Sequence, residues 1–142
     1  MVEFCAKDLM PRLAPKLDIR VELSGSVKRN QGNLGCCYDI DPDYRPRAFV
    51  IEADSSQSLR MLLITIAHEM VHVKQMARCE QQYTKVYHKV KWMGKTVDLN
   101  KTNYWELPWE IEAHGRETGL FLKWCEANGL EQRAWTHDKN IK

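Results

Sequence analysis

From Ser56 to Glu80 the chain reads SQSLRMLLITIAHEMVHVKQMARCE, with no proline or glycine and with apolar residues at helical spacing. At about 100° per residue, Leu59, Leu62, Leu63, Ile66, Met70, Val73 and Ala77 form one broad apolar face. His68 and His72 fall roughly opposite, flanked by Met61, Ile64 and Val71. Asp54, Ser55 and Ser56 offer an N-cap just before the run. A helix apolar nearly all round is a buried central helix, so its histidine side is expected to face a cleft or a second layer of structure.

Upstream, the periodicity shortens. IRVEL (19–23), CCYDI (36–40) and AFVIEA (48–53) are rich in branched and aromatic residues, and SGS, NQGN and DPDYRPR separate them with turn chemistry. Three strands of a small, mostly antiparallel sheet are predicted. FCAKDLMPRLA (4–14) predicts a short helix limited by Pro11 and Pro15.

Downstream, YTKVYHKVKWMGKTVDL alternates and turns near Met93-Gly94, which predicts a β-hairpin. Pro108 suits the first turn of a second long helix, PWEIEAHGRETGLFLKWCEANG, closing at Asn128-Gly129. The tail from 136 to 142 reads as flexible. The expected fold is α+β: a small sheet packed on the central helix, then a hairpin and a second long helix. With 142 residues, no internal repeat and no linker, a single domain is predicted.

Composition narrows the function classes. A formal charge of +2 is not that of a dedicated nucleic-acid binder. Cys5, Cys36, Cys37, Cys79 and Cys125 are odd in number and show no CxxC spacing, which predicts reduced thiols. MVEFCAKDLMPRL lacks the pattern of a signal peptide, and no apolar run approaches membrane-spanning length, so a cytoplasmic protein without membrane contact is expected.

The candidate chemistry lies in HEMVH. His68 and His72 are four apart on one helical face, so both imidazoles can reach one ion, with Glu69 between them. A catalytic zinc needs a third protein ligand and an open position. On the second helix, Glu110 falls in the middle of the apolar face, among Ala113, Leu120, Phe121, Trp124 and Cys125. A carboxylate there is costly unless paired or bound to metal. Glu112 falls roughly opposite, near Arg116 and Lys123, on the side expected to be solvated. The expected ligand set is therefore His68, His72 and Glu110. His114 and Glu117, near Glu110 on the same face, are candidates to hold a ligand by hydrogen bonding. Ala113 is small enough to let the two helices approach.

HEMVH on a central helix after a small sheet, followed by a glutamate in a Glu-x-x-Ala context (Glu110 to Ala113), resembles the gluzincin-type zinc metallopeptidases. With the Trp-Met-Gly hairpin and YWELPWEIEAHGRE, the pattern over roughly residues 48–125 is similar to the compact SprT-like or minimal-gluzincin proteins of bacteriophages. Two departures stand out. Many gluzincins carry Asp or Asn four residues after the ligand glutamate, where this chain has His114, so His114 is either a ligand or a supporting group. SprT-like proteins usually take a histidine as third ligand; His88 is the candidate, ranked after Glu110 and His114.

The resemblance implies one Zn2+ per chain and hydrolysis of peptide bonds by an activated water, with Glu69 as general base. Tyr87, His88, Tyr104 and His114 are candidate donors to the oxyanion. An edge strand of the sheet is expected to pair with an extended peptide or protein substrate, and AFVIEA is the candidate. The second reading is a non-catalytic, zinc-stabilised module binding protein or nucleic acid. Lys85, Lys89, Lys91, Lys95 and Lys101, interleaved with Tyr83, Tyr87 and Trp92, would supply a nucleic-acid contact, although a solvated hairpin face over packed aromatics accounts for them as well.

Overall fold

The computed structural model describes residues 1–27, 33–41 and 44–138. Parts of the expected NQGN and DPDYRPR turns (residues 30–32 and 42–43) and positions 139–142 of the expected tail lie outside them. The fold is α+β, with helices α1 (Val2–Leu9), α2 (Leu59–Ala77) and α3 (Pro108–Ala127) and two three-stranded sheets. The strands are β1 (Asp18–Ser24), β2 (Gly35–Asp39), β3 (Ala48–Asp54), β4 (Gln81–Tyr83), β5 (Lys89–Trp92) and β6 (Lys95–Asp98). Among the described residues no helix is long and apolar enough to cross a membrane.

The first sheet has the order β1-β3-β2, with β3 parallel to β1 and antiparallel to β2. Two expectations are corrected here. The sheet is mixed, because the chain between β1 and β3 is long enough for the crossover that parallel pairing requires. AFVIEA is the central strand and not an edge. It is the most apolar of the three, and with Phe49, Ile51 and Ala53 fully buried it takes the position that removes most surface from water. The edges are β1 and β2, and β2 is the one that borders the cavity described below.

Asp54 ends β3 and turns the chain through its side chain, which accepts from the Ser56 amide at 2.8 Å. The N-cap of α2 is instead Ser58, which accepts from the Met61 amide at 3.3 Å. From Ile64 onward α2 is buried on nearly every side, between the first sheet, α1 and α3. One core joins Cys5 and Leu9 of α1, Phe49 and Ile51 of β3, Met70 and Val73 of α2, and Ala113 and Leu120 of α3. Ala113 is fully buried where α3 crosses α2.

The second sheet has the order β4-β5-β6 and is antiparallel. Met93 and Gly94 form its turn with φ of 49° and 81°, as a two-residue hairpin with right-handed twist needs. Val90 packs with Leu107 and Trp109, and Trp92 lies against them. Trp92 is thus beneath the sheet, whereas Tyr83 and Tyr87 are exposed. Helix α3 begins at Pro108 and closes with Gly129 at φ 63°. The Leu130 amide bonds to the Cys125 carbonyl and the Gly129 amide to the Glu126 carbonyl, a Schellman closure.

The expected tail starts too early. Residues 134–136 form a 3-10 turn in which Trp135 packs toward Phe121 and Thr136 is buried, its carbonyl accepting from Arg60 Nε at 3.1 Å. An apolar anchor and a charged donor dock this end of the chain onto α2 and α3. None of the five cysteines forms a disulfide.

Candidate metal centre

The central part of α2 and the first turns of α3 meet beneath a cavity of about 600 Å³. His68, Glu69 and His72 enter it from α2; Glu110, His114 and Glu117 from α3; Tyr104 from the 3-10 turn before α3. The Nε2 atoms of His68 and His72 are 3.1 Å apart. Glu110 closes the triangle, with Oε2 at 3.3 Å from His68 Nε2 and Oε1 at 3.5 Å from His72 Nε2. Four ligands at Zn–N distances of about 2.0–2.1 Å in a tetrahedron lie about 3.3 Å from one another, so the three separations fit a shared ion.

The other ring nitrogens decide what these atoms can do. His68 Nδ1 donates to Glu117 Oε2 at 2.7 Å. His72 Nδ1 donates to Gln75 Oε1 at 2.8 Å, and the amide orientation follows because Gln75 Nε2 donates to the Trp109 carbonyl at 2.9 Å. With protons on both Nδ1 atoms, two Nε2 lone pairs and a carboxylate converge on one point. Added protons, a hydrogen-bond donor placed between them or a cation would stabilise that arrangement, and the cation satisfies all three groups at once.

The titration behaviour of the ion-free side chains expresses the same conflict. Burial pulls His68 down, but the carboxylates of Glu110 and Glu117 outweigh it and raise its pKa to about 9. His72 is raised likewise against its burial, chiefly by Glu110. Burial pushes Glu110 up, yet the bonds from His68 and His72 hold it well below the usual carboxylate range. Glu69 bonds to none of these groups, and burial raises its pKa.

Glu69 is 5 % exposed, and β2 explains why it fits. A Cβ at Gly35 would lie 2.7 Å from Thr65 Cγ2, 3.1 Å from the Glu52 carbonyl and 3.2 Å from Glu69 Oε1. Glycine there lets the edge strand cross directly over α2 and leaves the Glu69 carboxylate its space.

Tyr104 OH donates to Glu110 Oε2 at 2.8 Å and lies 3.2 Å from His114 Nε2. Burial and the Glu110 carboxylate raise its pKa, so the phenol stays a donor. His114 Nδ1 is 3.3 Å from Glu117 Oε2, which makes His68, His114 and Glu117 a second group with metal-ligand spacing. That group would use the nitrogen by which Glu117 orients His68, and His114 sits at the more exposed rim. The set of His68, His72 and Glu110 fits an ion better.

Tyr87 is 96 % exposed, and neither it nor His88 lines the cavity. The solvated role expected for Glu112 is also corrected. Its Oε1 accepts from Lys74 Nζ at 2.7 Å and from Gln75 Nε2 at 3.3 Å, and Lys74, itself buried, pairs with Glu80 at 2.8 Å. The wheel angle of Glu112 holds and Arg116 and Lys123 on that side are exposed, but Lys74 and Gln75 of α2 reach Glu112 itself near the start of α3. Gln75 and Gly35 were not among the sequence candidates. Gln75 had a signal: it lies three residues after His72, within reach on a helix. Gly35 had none beyond being a glycine at a strand end.

No protein-family model, curated protein or solved structure matches the chain.

Proposed function

We propose that this chain is a zinc-dependent metallopeptidase of gluzincin type, similar to the compact SprT-like proteins of bacteriophages, with His68, His72 and Glu110 as ligands and Glu69 as general base. The convergence of two Nε2 lone pairs and the Glu110 carboxylate, each histidine held in that tautomer from behind, carries the reading. Zinc bound there supplies a water of lowered pKa and polarises a carbonyl.

The remaining chemistry is that of the side chains. Glu69, adjacent in sequence to His68 and raised in pKa by burial, accepts the proton of the attacking water and passes it to the leaving amine. Tyr104, whose hydroxyl proton rests on Glu110 Oε2 in the ion-free fold, turns it to the oxygen that gains charge. The β2 edge borders the cavity at Gly35 and Cys37 and aligns an extended peptide across it. A retained, buried Glu69 favours catalysis over a structural zinc module, which needs no base.

The test combines metal analysis with turnover. Purified protein should hold about one zinc per chain, as expected of such a centre. His68→Ala and His72→Ala should lose the zinc, whereas Glu69→Gln should keep it and lose peptidase activity at least about a hundredfold. Absence of zinc after metal-replete expression overturns the reading, and zinc without hydrolysis of any unfolded substrate leaves the structural module.

A further inference from the structure

Two open strand edges, those of β2 and β4, border one groove. Hydrogen bonds at the strand ends set the phase of each edge. Ile40 bonds to Ala48 and Asp54 to Leu34, so Leu34, Cys36, Tyr38 and Ile40 turn their backbone toward β3. Gly35, Cys37 and Asp39 therefore turn N–H and C=O outward. In the second sheet Met93 bonds to Glu80, so Gln82 faces β5, and Gln81 and Tyr83 turn outward.

The two outward rows border connected space. Gly35, Cys37, Gln81 and Tyr83 line the cavity over the histidines. A second hollow of about 470 Å³ shares Met76, Gln81 and Tyr83 with it and continues past Asp39 to Lys85 and Lys91. Both lysines are exposed, and among the described residues neither forms an ion pair. Two cations against Asp39 leave that end net positive.

We propose that the groove takes an extended polypeptide segment as a strand bonded on both sides, to β2 and to β4, with an acidic side chain of the segment at Lys85 and Lys91. Successive residues of a strand point their N–H and C=O to opposite sides, so such a segment satisfies both rows at once. A helix, or a strand already paired in a sheet, cannot. The substrate class is thus unpaired polypeptide, a linker or an unfolded stretch, with an acidic residue beyond the scissile bond. That the segment is a substrate rests on the peptidase reading; its binding does not.

The experiment measures binding of fluorescein-labelled unstructured peptides, about ten residues long at ~3.3 Å per residue, to zinc-loaded Glu69→Gln protein by anisotropy. One series carries single backbone N-methyl groups at each successive position. Two-sided pairing predicts losses of about fivefold at consecutive positions within the bound stretch. Losses only at alternate positions would show one edge in use and overturn the role of β4. A second series places Glu, Ala or Lys at the acidic position, with Glu expected to bind about tenfold tighter than Lys at low salt and Lys91→Glu to reverse the order. Equal binding of the three peptides, an order unchanged in Lys91→Glu, or no binding at all overturns the proposal. Acid-selective, two-sided binding by a protein that hydrolyses nothing would sink the peptidase reading and leave the groove.

Discussion

Gln75 Oε1 accepts the Nδ1 proton of His72 at 2.8 Å, from a side chain with no solvent exposure. The amide is itself held by the Trp109 carbonyl and Glu112, so a path of hydrogen bonds runs from the Lys74–Glu112 pair to the ring that faces the cavity. Replacing Gln75 by Leu keeps the volume and removes the acceptor. Zinc affinity, measured by competition with a chelator, should fall about ten- to a hundredfold, the range typical of such supporting groups. An unchanged affinity would mean that the tautomer of His72 is set without Gln75.

Glu112→Ala should destabilise the protein by about 1–3 kcal/mol in urea unfolding, because it takes a partner from Lys74 and an acceptor from Gln75. Glu80 still faces Lys74, which keeps the loss below that of an isolated buried charge. Zinc affinity should fall less than in Gln75→Leu. A change within about 0.5 kcal/mol would assign Glu112 to the surface after all.

Gly35→Ala puts a methyl group against Thr65 and Glu69 beneath a fixed backbone carbonyl of β3. Overpacking of this kind costs about 1–3 kcal/mol. Because the nearest polar side-chain atom is Glu69 Oε1, kcat should drop while zinc content holds. Loss of zinc together with activity would show that α2 as a whole has shifted.

Tyr104→Phe removes the donor to Glu110 Oε2 without touching a histidine ligand. With the phenol serving the oxyanion, kcat measured at saturating zinc falls about a hundredfold with little change in KM. Equal turnover would leave Tyr104 as an anchor of Glu110 alone.

His68 supplies a pH dependence. Its pKa in the ion-free fold is about 9, above the ordinary 6.5, so its pairing stabilises the ion-free protein fully below pH 6.5. That contribution is lost as pH rises through about 9. Zinc must displace the proton, so affinity should rise with pH up to that region, by about tenfold per unit for each proton displaced. Zinc added at pH 7 in weakly buffered solution should release protons. None released would place His68 already neutral.

Helix α2, the Met93-Gly94 turn and the ends of α3 at Pro108 and Gly129 were legible in the residues, because each depends on neighbours within about one turn. The same holds for the pairing of His68 with His72 and for the inward phase of Glu110: a 3.6-residue period places side chains by angle. An angle does not say what stands opposite. Glu112 reads as solvated until Lys74 and Gln75, more than thirty positions earlier, are packed against it. The order β1-β3-β2 likewise arises from segments competing for the most buried position in the sheet, which turned the expected edge strand into the centre and gave the cavity to β2. The tight crossing of Gly35 over Glu69 depends on the distance between two elements, and no local period encodes a distance between segments remote in sequence.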